Sequence, residues 1–394
     1  MINNFLDINH NKRNAGLDVM RSIAIIVVLF GHQINIFIDH LDTVIPFTNL
    51  SLKRFFFYFV TGFDGVDLFF VLSGFLIGNS ILTAYQEKKL NLKYLLSNFW
   101  IKRWFRTLPN YFVVLIILIL INKIFFNLID KEINNNYKDY FIFYQNIFKG
   151  NLTFFPESWS LSVEEWFYIS FPLVLTGIGY LSYNFEIRKW LLLMTIITFI
   201  AGGVFFRLDY TLGANFNIIG NSLWNENIRT VVLMRIDAII YGVLFAFLNI
   251  YYKDYLKKIR FKLAFFGTLI LLYSFNKYFL NANKTDAFIF SHGIYFSFVG
   301  IGFAMWIPFF NYLRIGSSIL LNLFTIISVL SYSFYLINYS LIQKNILILI
   351  ENNSLLFCFV KYFLCVFLTI IISIILYKYV EMPFMKLRKR IIYE

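Results

Sequence analysis

Residues 19–38 read VMRSIAIIVVLFGHQINIFI, in which Arg21 and His32 are the only ionisable side chains. A helix that crosses the hydrocarbon core of a bilayer needs about 20 mostly apolar residues. The stretch therefore predicts a membrane-spanning helix, and it sets the class of fold to look for in the rest of the chain.

Similar apolar segments recur along the whole chain. We count ten candidates, at 19–38, 55–84, 109–127, 162–181, 190–206, 229–251, 262–279, 290–310, 318–347 and 355–379. The second contains Gly62 and Asp64, and we expect it to be broken or re-entrant, because irregular backbone at membrane depth is tolerated only where protein buries it. The prediction is an all-α integral membrane protein with about ten transmembrane helices in one domain, residues 1–394.

The composition supports the same class of protein. Of 394 residues, 59% are hydrophobic and 14% are charged, against about 25% charged residues in a typical soluble domain. This excludes a soluble globular enzyme, a disordered protein and a nucleic-acid-binding protein, and it makes the lipid bilayer the expected surroundings. No Cys/His cluster has metal-ligand spacing, so we expect no metal site.

The basic residues indicate an orientation. Lys and Arg total 35 against 22 Asp and Glu, which gives a net charge of +13. If the N-terminus is cytoplasmic and ten spans alternate, about 21 of the basic residues lie in cytoplasmic segments, as the positive-inside rule requires. We expect both termini in the cytoplasm and a multi-pass protein of the inner (cytoplasmic) membrane.

Several ionisable groups lie where a bilayer makes them costly. Arg21 and His32 are eleven residues apart, about three helical turns or some 16 Å, so they share a helix face. This pattern suits an elongated anionic ligand that enters from the cytoplasm. Alternatively, Arg21 is an interfacial anchor and His32 a hydrogen-bonded polar residue. Asp67 in the second segment can cap a broken helix or pair with one of the nearby cations, namely Arg21, His32 or Arg235.

Two other patterns have plain structural explanations beside functional ones. The stretch 102–109, KRWFRTLP, fits the positive-inside rule and a proline helix start, or else a phosphate clamp built from Arg103 and Arg106. In the second segment, Gly74 and Gly78 form a small-xxx-small pattern, which is typical of close helix packing.

Carboxylates also enter apolar segments further along the chain. Residues 156–168 read PESWSLSVEEWFY, and Glu164 and Tyr168 share a helix face. Two adjacent carboxylates exceed what a helix cap requires. Arg235 and Asp237 form another embedded pair, and the plain explanation is that they neutralise each other.

Taken together and in this order, these segments resemble the acyltransferase type 3 family of membrane acyltransferases. The matching pieces are Arg21 and His32 in the first span, GVDLFFVLSGFLI from Gly65, KRWFRTLP from Lys102, WSLSVEEWFY from Trp159, RIDAIIYG from Arg235, LSYSFYLIN from Leu330 and VEMPF from Val380. Each motif is modest alone, but their joint order is specific and covers nearly the whole chain.

The resemblance implies an enzyme that moves an acyl group, most often acetyl, from acyl-CoA to a sugar hydroxyl. The implied acceptors are a cell-surface polysaccharide, lipopolysaccharide or another glycan, or a lipid-linked saccharide precursor. His32 matches the essential histidine of the family, Arg21 its arginine partner, and Arg103 and Arg106 the cytoplasmic arginine motif. Asn338 stands where the family often has histidine, so the role of that residue does not transfer. Some members carry an appended periplasmic hydrolase-like domain, which we do not expect here.

For the chemistry, we expect His32 to be the general base for the acceptor hydroxyl, oriented by a carboxylate. Glu164 is the first choice for that carboxylate and Asp67 the second. The cations expected to bind the coenzyme A phosphates are Arg21, Arg103 and Arg106. Supporting roles fall to Ser73, Trp159, Tyr168, Arg235 and Asp237, with an acyl-enzyme through Ser73 or Tyr168 as the less favoured route.

A transporter or flippase that moves a glycan or lipid without acyl chemistry is the competing hypothesis. Ten spans, a broken second helix and embedded charges fit it as well, although the sequence has no visible inverted repeat, which would favour transport. Thioester consumption by the purified protein discriminates between the two. The sequence leaves open the acceptor, the acyl chain length, O- against N-transfer and the oligomeric state.

Overall fold

The computed structural model describes residues 6, 13–40, 65–85, 92–125, 133–150, 152–181, 185–213, 224–280, 288–314, 316 and 318–393. Every regular element in these ranges is helical, which confirms the all-α class for this part of the chain. The α-helices are α1 (Ala15–Gln33), α2 (Gly65–Tyr85), α3 (Leu92–Phe125), α4 (Ile133–Phe141), α5 (Ser158–Leu181), α6 (Phe185–Gly213), α7 (Val232–Arg235), α8 (Asp237–Tyr251), α9 (Lys253–Leu280), α10 (Tyr295–Asn311), α11 (Ile319–Ile337), α12 (Lys344–Leu349), α13 (Leu355–Leu376) and α14 (Met382–Tyr393). A 3₁₀ segment, Ile34–His40, continues α1, and π-helical turns occupy Asn225–Arg229, Phe290–Ile294, Asn338–Gln343 and Tyr377–Glu381.

Within the described ranges, nine helical stretches are long and apolar enough to cross a membrane. They are Ala15–Phe37, Gly65–Thr83, Leu96–Ile124, Ile187–Gly213, Val232–Tyr251, Lys253–Tyr278, Phe290–Asn311, Ile319–Leu349 and Leu355–Ile392. They match nine of the ten predicted segments, which confirms a multi-pass membrane protein. The remaining segment, 162–181, is also helical, as α5, but it is not among the nine.

The predicted break in the second segment, near Gly62 and Asp64, falls outside the described residues. The described part of that segment, α2, is helical from Gly65 to Tyr85 without interruption. The cytoplasmic placement of both termini stays a prediction.

One helix boundary differs from the prediction. We expected the third span to begin at Pro109, yet α3 begins at Leu92 and carries Pro109 in its interior. Proline removes one backbone hydrogen bond and crowds the preceding turn, but membrane helices tolerate it where neighbouring groups satisfy the freed carbonyl. Arg103 and Arg106 therefore lie on a continuous helix rather than in a connection between helices.

The bundle is centred on α2 and α8, whose backbones approach each other closely. A Cβ atom at Gly74 would overlap the carbonyl oxygen of Ile239, and one at Gly78 would lie 2.7 Å from the Cβ of Ala246. The close packing predicted for Gly74 and Gly78 is confirmed. Helices α1 and α10 also contact α2, so α2 is enclosed by its neighbours.

Two buried ion pairs connect these helices. Arg235 at the end of α7 pairs with Asp67 of α2, and Arg207 of α6 pairs with Asp237 of α8. All four side chains are at most 3% exposed. We considered that Arg235 and Asp237 neutralise each other, but the structure gives each a partner on another helix, since helical residues two apart face different directions. The sequence reading missed Arg207.

Candidate active site

A cavity of about 110 Å³ lies inside the bundle, between α1, α2, α3, α5 and α11. Six residues predicted from separate motifs line it, namely Arg21, Ser73, Arg103, Arg106, Glu164 and Tyr168. Among its described lining residues, three are arginines and one is a carboxylate. A lining with this charge inside an apolar bundle suits an anionic ligand, because embedded charges usually face a cavity or a partner.

Arg21 is held in place from the first turn of its own helix. Its guanidinium donates to Ser328 Oγ (3.1 Å) and to Asp18 Oδ1 (3.4 Å). The same carboxylate accepts two hydrogen bonds from Arg13, at 2.7 and 2.5 Å, and one from Ser328 Oγ at 2.7 Å. Asp18, which is 3% exposed, thus orients two arginines at once. It is a residue to which sequence reasoning assigned no role.

Arg103 and Arg106 are one turn apart on α3 and have different partners. The Arg106 Nε atom lies 3.9 Å from Glu381 Oε1, and the other oxygen of Glu381 accepts a hydrogen bond from Asn110 (3.1 Å). The guanidinium of Arg103 lies 5.5 Å from the centroid of the Tyr168 ring, within the range of a cation–π contact. In these contacts, neither arginine forms a close bidentate ion pair with a carboxylate.

Glu164, Tyr168 and Ser73 form a hydrogen-bonded series in the cavity wall. Tyr168 donates to Glu164 Oε2 at 2.6 Å, and Ser73 Oγ lies 3.1 Å from the Tyr168 hydroxyl. A phenol has one proton, and Tyr168 uses it in the hydrogen bond to Glu164. Ser73 must therefore be the donor in its hydrogen bond with Tyr168. The helical spacing of Glu164 and Tyr168 predicted their shared face, but the sequence did not indicate that Ser73 of α2 joins them.

His32 belongs to a second polar group, which includes Asn338 and Tyr339. Its Nδ1 lies 3.4 Å from Asn338 Nδ2, and its ring centroid lies 5.1 Å from that of Tyr339. The backbone oxygen of His32 accepts a hydrogen bond from Gln343 (2.9 Å). The cavity lined by Arg21, Arg103 and Arg106 is called the arginine cavity below. His32 is not among its described lining residues.

The two carboxylates considered as partners of His32 form hydrogen bonds elsewhere. Glu164 accepts from Tyr168, and Asp67 pairs with Arg235. The Arg235 guanidinium also lies over the ring of Phe296, 3.5 Å from its centroid, and 5.9 Å from that of Trp159. Asp67, Trp159 and Arg235 thus form one buried group, and Asp237 belongs to the separate pair with Arg207.

Glu157 is a buried carboxylate that sequence reasoning missed, although it lies inside the quoted stretch 156–168. It accepts hydrogen bonds from the backbone N (2.9 Å) and the hydroxyl (2.5 Å) of Ser340. Its own backbone oxygen accepts a hydrogen bond from Tyr335 (2.9 Å), which lines the cavity. Burial raises the pKa of Glu157 to about 7, and the hydrogen bonds from Ser340 offset only part of that effect.

The chain is similar to known acyltransferases over most of its length. The profile of the acyltransferase 3 family, described as an acyltransferase domain, matches residues 14–378. The chain is 25% identical over 336 residues to the O-acetyltransferase OatA of Staphylococcus aureus. The aligned region covers 82% of this chain and 53% of that protein. It is 31% identical over 171 residues to the peptidoglycan O-acetyltransferase OatA of Listeria monocytogenes, which covers 40% of this chain and 24% of that protein.

The aligned part of the chain thus corresponds to about half or less of the length of these relatives. No solved structure matches the chain. The family profile covers every residue of the cavity lining and of the group around His32. The chain therefore belongs to the acyltransferase 3 family.

Proposed function

We propose that this protein transfers an acyl group from acyl-CoA to a hydroxyl of a cell-surface glycan, or of its lipid-linked precursor, at the inner membrane. The observation that carries the proposal is the convergence of Arg21, Arg103 and Arg106 on one cavity of an acyltransferase. Acetyl-CoA is the first donor to test, because both relatives are named O-acetyltransferases. A glycan acceptor is proposed because the Listeria relative is named for peptidoglycan.

The arginines provide the chemistry that a coenzyme A donor requires. Coenzyme A carries a diphosphate and a ribose phosphate, and guanidinium groups bind phosphate oxygens through paired, charge-assisted hydrogen bonds. Arg21 comes from α1, whereas Arg103 and Arg106 come from α3, so the three charges reach the cavity from two directions.

Helix α11 and the turn after it give the expected course of the donor. Ser328 contacts Arg21, Tyr332 and Tyr335 line the cavity, and Asn338 contacts His32. Ser328 and Asn338 are ten residues apart, about 15 Å along a helix. An extended pantetheine arm has a comparable length, so phosphates bound at the arginines would leave the thioester near His32.

In the proposed reaction, the acceptor oxygen attacks the thioester carbonyl while His32 takes up the hydroxyl proton. The new C–O bond forms, the C–S bond breaks, and the coenzyme A sulfur leaves with the electron pair and is then protonated. Glu164 lies on the donor side, in the wall of the arginine cavity, where a hydrogen bond from Tyr168 holds it in place. Asp67 and Trp159 keep Arg235 in place behind the cavity.

The test is release of free coenzyme A thiol from acetyl-CoA by the purified protein in lipid nanodiscs, with and without glycan acceptors. We expect thiol release that depends on acceptor and that falls at least about 100-fold in His32→Ala, as loss of a general base does, with unchanged abundance and membrane insertion. Arg390→Gln serves as the control, because Arg390 is exposed and does not line the cavity. Wild-type rates in His32→Ala would reject the base assignment, and movement of a glycan across the membrane without thiol release would favour the transporter hypothesis.

A further inference from the structure

Asn338 contacts the ring of His32 through its side-chain amide nitrogen. Its Oδ1 accepts a hydrogen bond from Gln33 Nε2 (3.2 Å) and lies 3.3 Å from Thr369 Oγ1. The amide nitrogen therefore faces the opposite way, toward His32 Nδ1 at 3.4 Å. Asn338 and Gln33 are 1% and 3% exposed, so solvent does not compete for these groups.

In this orientation of the Asn338 amide, its contact with Nδ1 assigns the proton of neutral His32 to one ring nitrogen. An amide NH₂ group donates hydrogen bonds and does not accept them. His32 Nδ1 must therefore present its lone pair to Asn338, and the single proton of the neutral imidazole lies on Nε2. In a Ser-His-Asp triad the arrangement is the reverse, since the carboxylate accepts from Nδ1–H and leaves Nε2 as the base.

We infer that Asn338 is a positioning residue that holds neutral His32 in the Nε2–H tautomer, with Nδ1 as its basic nitrogen. The tautomer itself follows from the contacts of Asn338, whereas its catalytic consequence rests on the proposed function. In that reaction, the acceptor hydroxyl displaces the Asn338 NH₂ group from the Nδ1 lone pair, because a ring nitrogen has only one lone pair. The acceptor O–H bond then breaks, its proton forms the Nδ1–H bond, and the acceptor oxygen bonds to the acyl carbon. The C–S electron pair leaves on the coenzyme A sulfur, which then takes the proton from Nδ1.

Protonation of the His32 ring requires the Asn338 amide to turn. An imidazolium has N–H groups at both nitrogens, so the Asn338 NH₂ group can no longer face Nδ1 favourably. A half-turn of the amide presents Oδ1 to Nδ1–H, and Gln33 must then turn its own amide to accept from Asn338. The histidine that the family often carries at this position can change between donor and acceptor by moving a proton, whereas Asn338 has to rotate.

Nitrogen NMR of the purified protein, labelled with ¹⁵N-histidine and free of donor and acceptor, tests the inference directly. The chain has four histidines, and loss of a signal in His32→Gln assigns the ring. Above its titration range, wild-type His32 is expected to show a protonated Nε2 and an unprotonated Nδ1. A wild-type ring protonated on Nδ1 overturns the inference.

Two variants are expected to move the His32 proton from Nε2 to Nδ1 by different changes in the hydrogen bonding of residue 338. Asn338→Asp replaces the donor by a group that only accepts, and it is expected to move the proton to Nδ1. Gln33→Glu reaches the same result without changing residue 338, because a carboxylate at position 33 requires Asn338 to turn its NH₂ group away from His32. Gln343→Glu is the matched control, since Gln343 contacts only the backbone oxygen of His32, and it should keep the Nε2–H tautomer. Folded Asn338→Asp and Gln33→Glu proteins that both keep Nε2–H contradict the inference.

Kinetics separate this inference from the proposed function. Asn338→Leu is expected to lower kcat about tenfold while the KM for acetyl-CoA changes less than about twofold, because the residue acts on the base and not on the donor. A protein that shows the Nε2–H tautomer but transfers no acyl group would reject the proposed function and leave the tautomer inference standing. A kcat unchanged in Asn338→Leu, in a protein that transfers acyl groups, would contradict the catalytic consequence.

Discussion

Arg207 and Asp237 form a bidentate ion pair inside the bundle, with both N–O distances at 2.7 Å. Arg207 also donates to the carbonyl oxygens of Gly293 (3.0 Å) and Met234 (2.5 Å) and to the hydroxyl of Ser297 (2.8 Å). These contacts use all five N–H groups of the guanidinium. The arginine is therefore fully buried and fully hydrogen-bonded, which is the condition under which a buried charge is tolerated.

Removing one partner of this pair should strongly destabilise the protein. Arg207→Met leaves Asp237 charged and buried without its counter-ion, and losses of about 3–5 kcal/mol are typical of such a break. We expect a lower midpoint of thermal unfolding in detergent. The double variant Arg207→Met/Asp237→Leu should recover most of the loss, because it leaves no unpaired buried charge at this site. A double variant less stable than Arg207→Met would show that the pair is not the source of the effect.

Gly74 offers a second test of the packing, at the contact of α2 with α8. Gly74→Ala places a methyl group against the backbone oxygen of Ile239, which cannot move without shifting α8. We expect less folded protein and a lower thermal midpoint. Gly177→Ala is the matched control, since a Cβ at Gly177 meets nothing within 4 Å and alanine favours a helix by about 0.5–1 kcal/mol over glycine. Equal behaviour of the two variants would contradict the close approach.

Much of the fold was predictable from local sequence, for a physical reason. A membrane segment must satisfy its backbone within one helix, so each span is visible in a window of about 20 residues. Nine predicted segments and the glycine contact of α2 were found in this way. The start of α3 was not, because a proline breaks helices in water but not inside a packed bundle.

The partners of the charged residues could not be predicted in the same way. Asp67 and Arg235 are 168 positions apart, and nothing in their local sequence specifies the distance between α2 and α7. The same holds for Glu157, whose contacts with Ser340 depend on how α5 and the π-helical turn after α11 meet. Local patterns identified which charges are embedded, but the packing of distant helices decides which ones meet.

The raised pKa of Glu157 predicts a pH dependence of stability. Burial raises the pKa from 4.5 to about 7, so the folded state binds a proton that the unfolded state has lost between these values. The contribution of Glu157 to stability is therefore highest below pH 4.5, falls as the pH rises through 7 and is constant above it, a change of about 3 kcal/mol in total. Thermal unfolding of the wild type and of Glu157→Gln across this range measures the effect.

The glutamine variant is the control for this titration, because it keeps a hydrogen-bonding side chain of the same length at position 157 without a titrating group. The difference in stability between the two proteins should grow with pH between about 5 and 7 and then stay level. A difference that is independent of pH would mean that Glu157 keeps its ordinary pKa in the folded protein.

The arginine cavity makes a prediction about the donor that does not depend on the acceptor. Arg103→Gln and Arg106→Gln each remove charge-assisted hydrogen bonds, which contribute about 1.5–3 kcal/mol apiece, so affinity for coenzyme A should fall roughly 10- to 100-fold by calorimetry. Binding of 3′-dephospho-CoA identifies the phosphate involved, since a variant that has lost the contact to that phosphate binds both ligands equally. Arg390→Gln removes the same charge from an exposed site outside the cavity and should leave both affinities within about twofold. Equal losses in all three variants would mean that general surface charge attracts the donor, because only a site-specific clamp distinguishes Arg103 and Arg106 from Arg390.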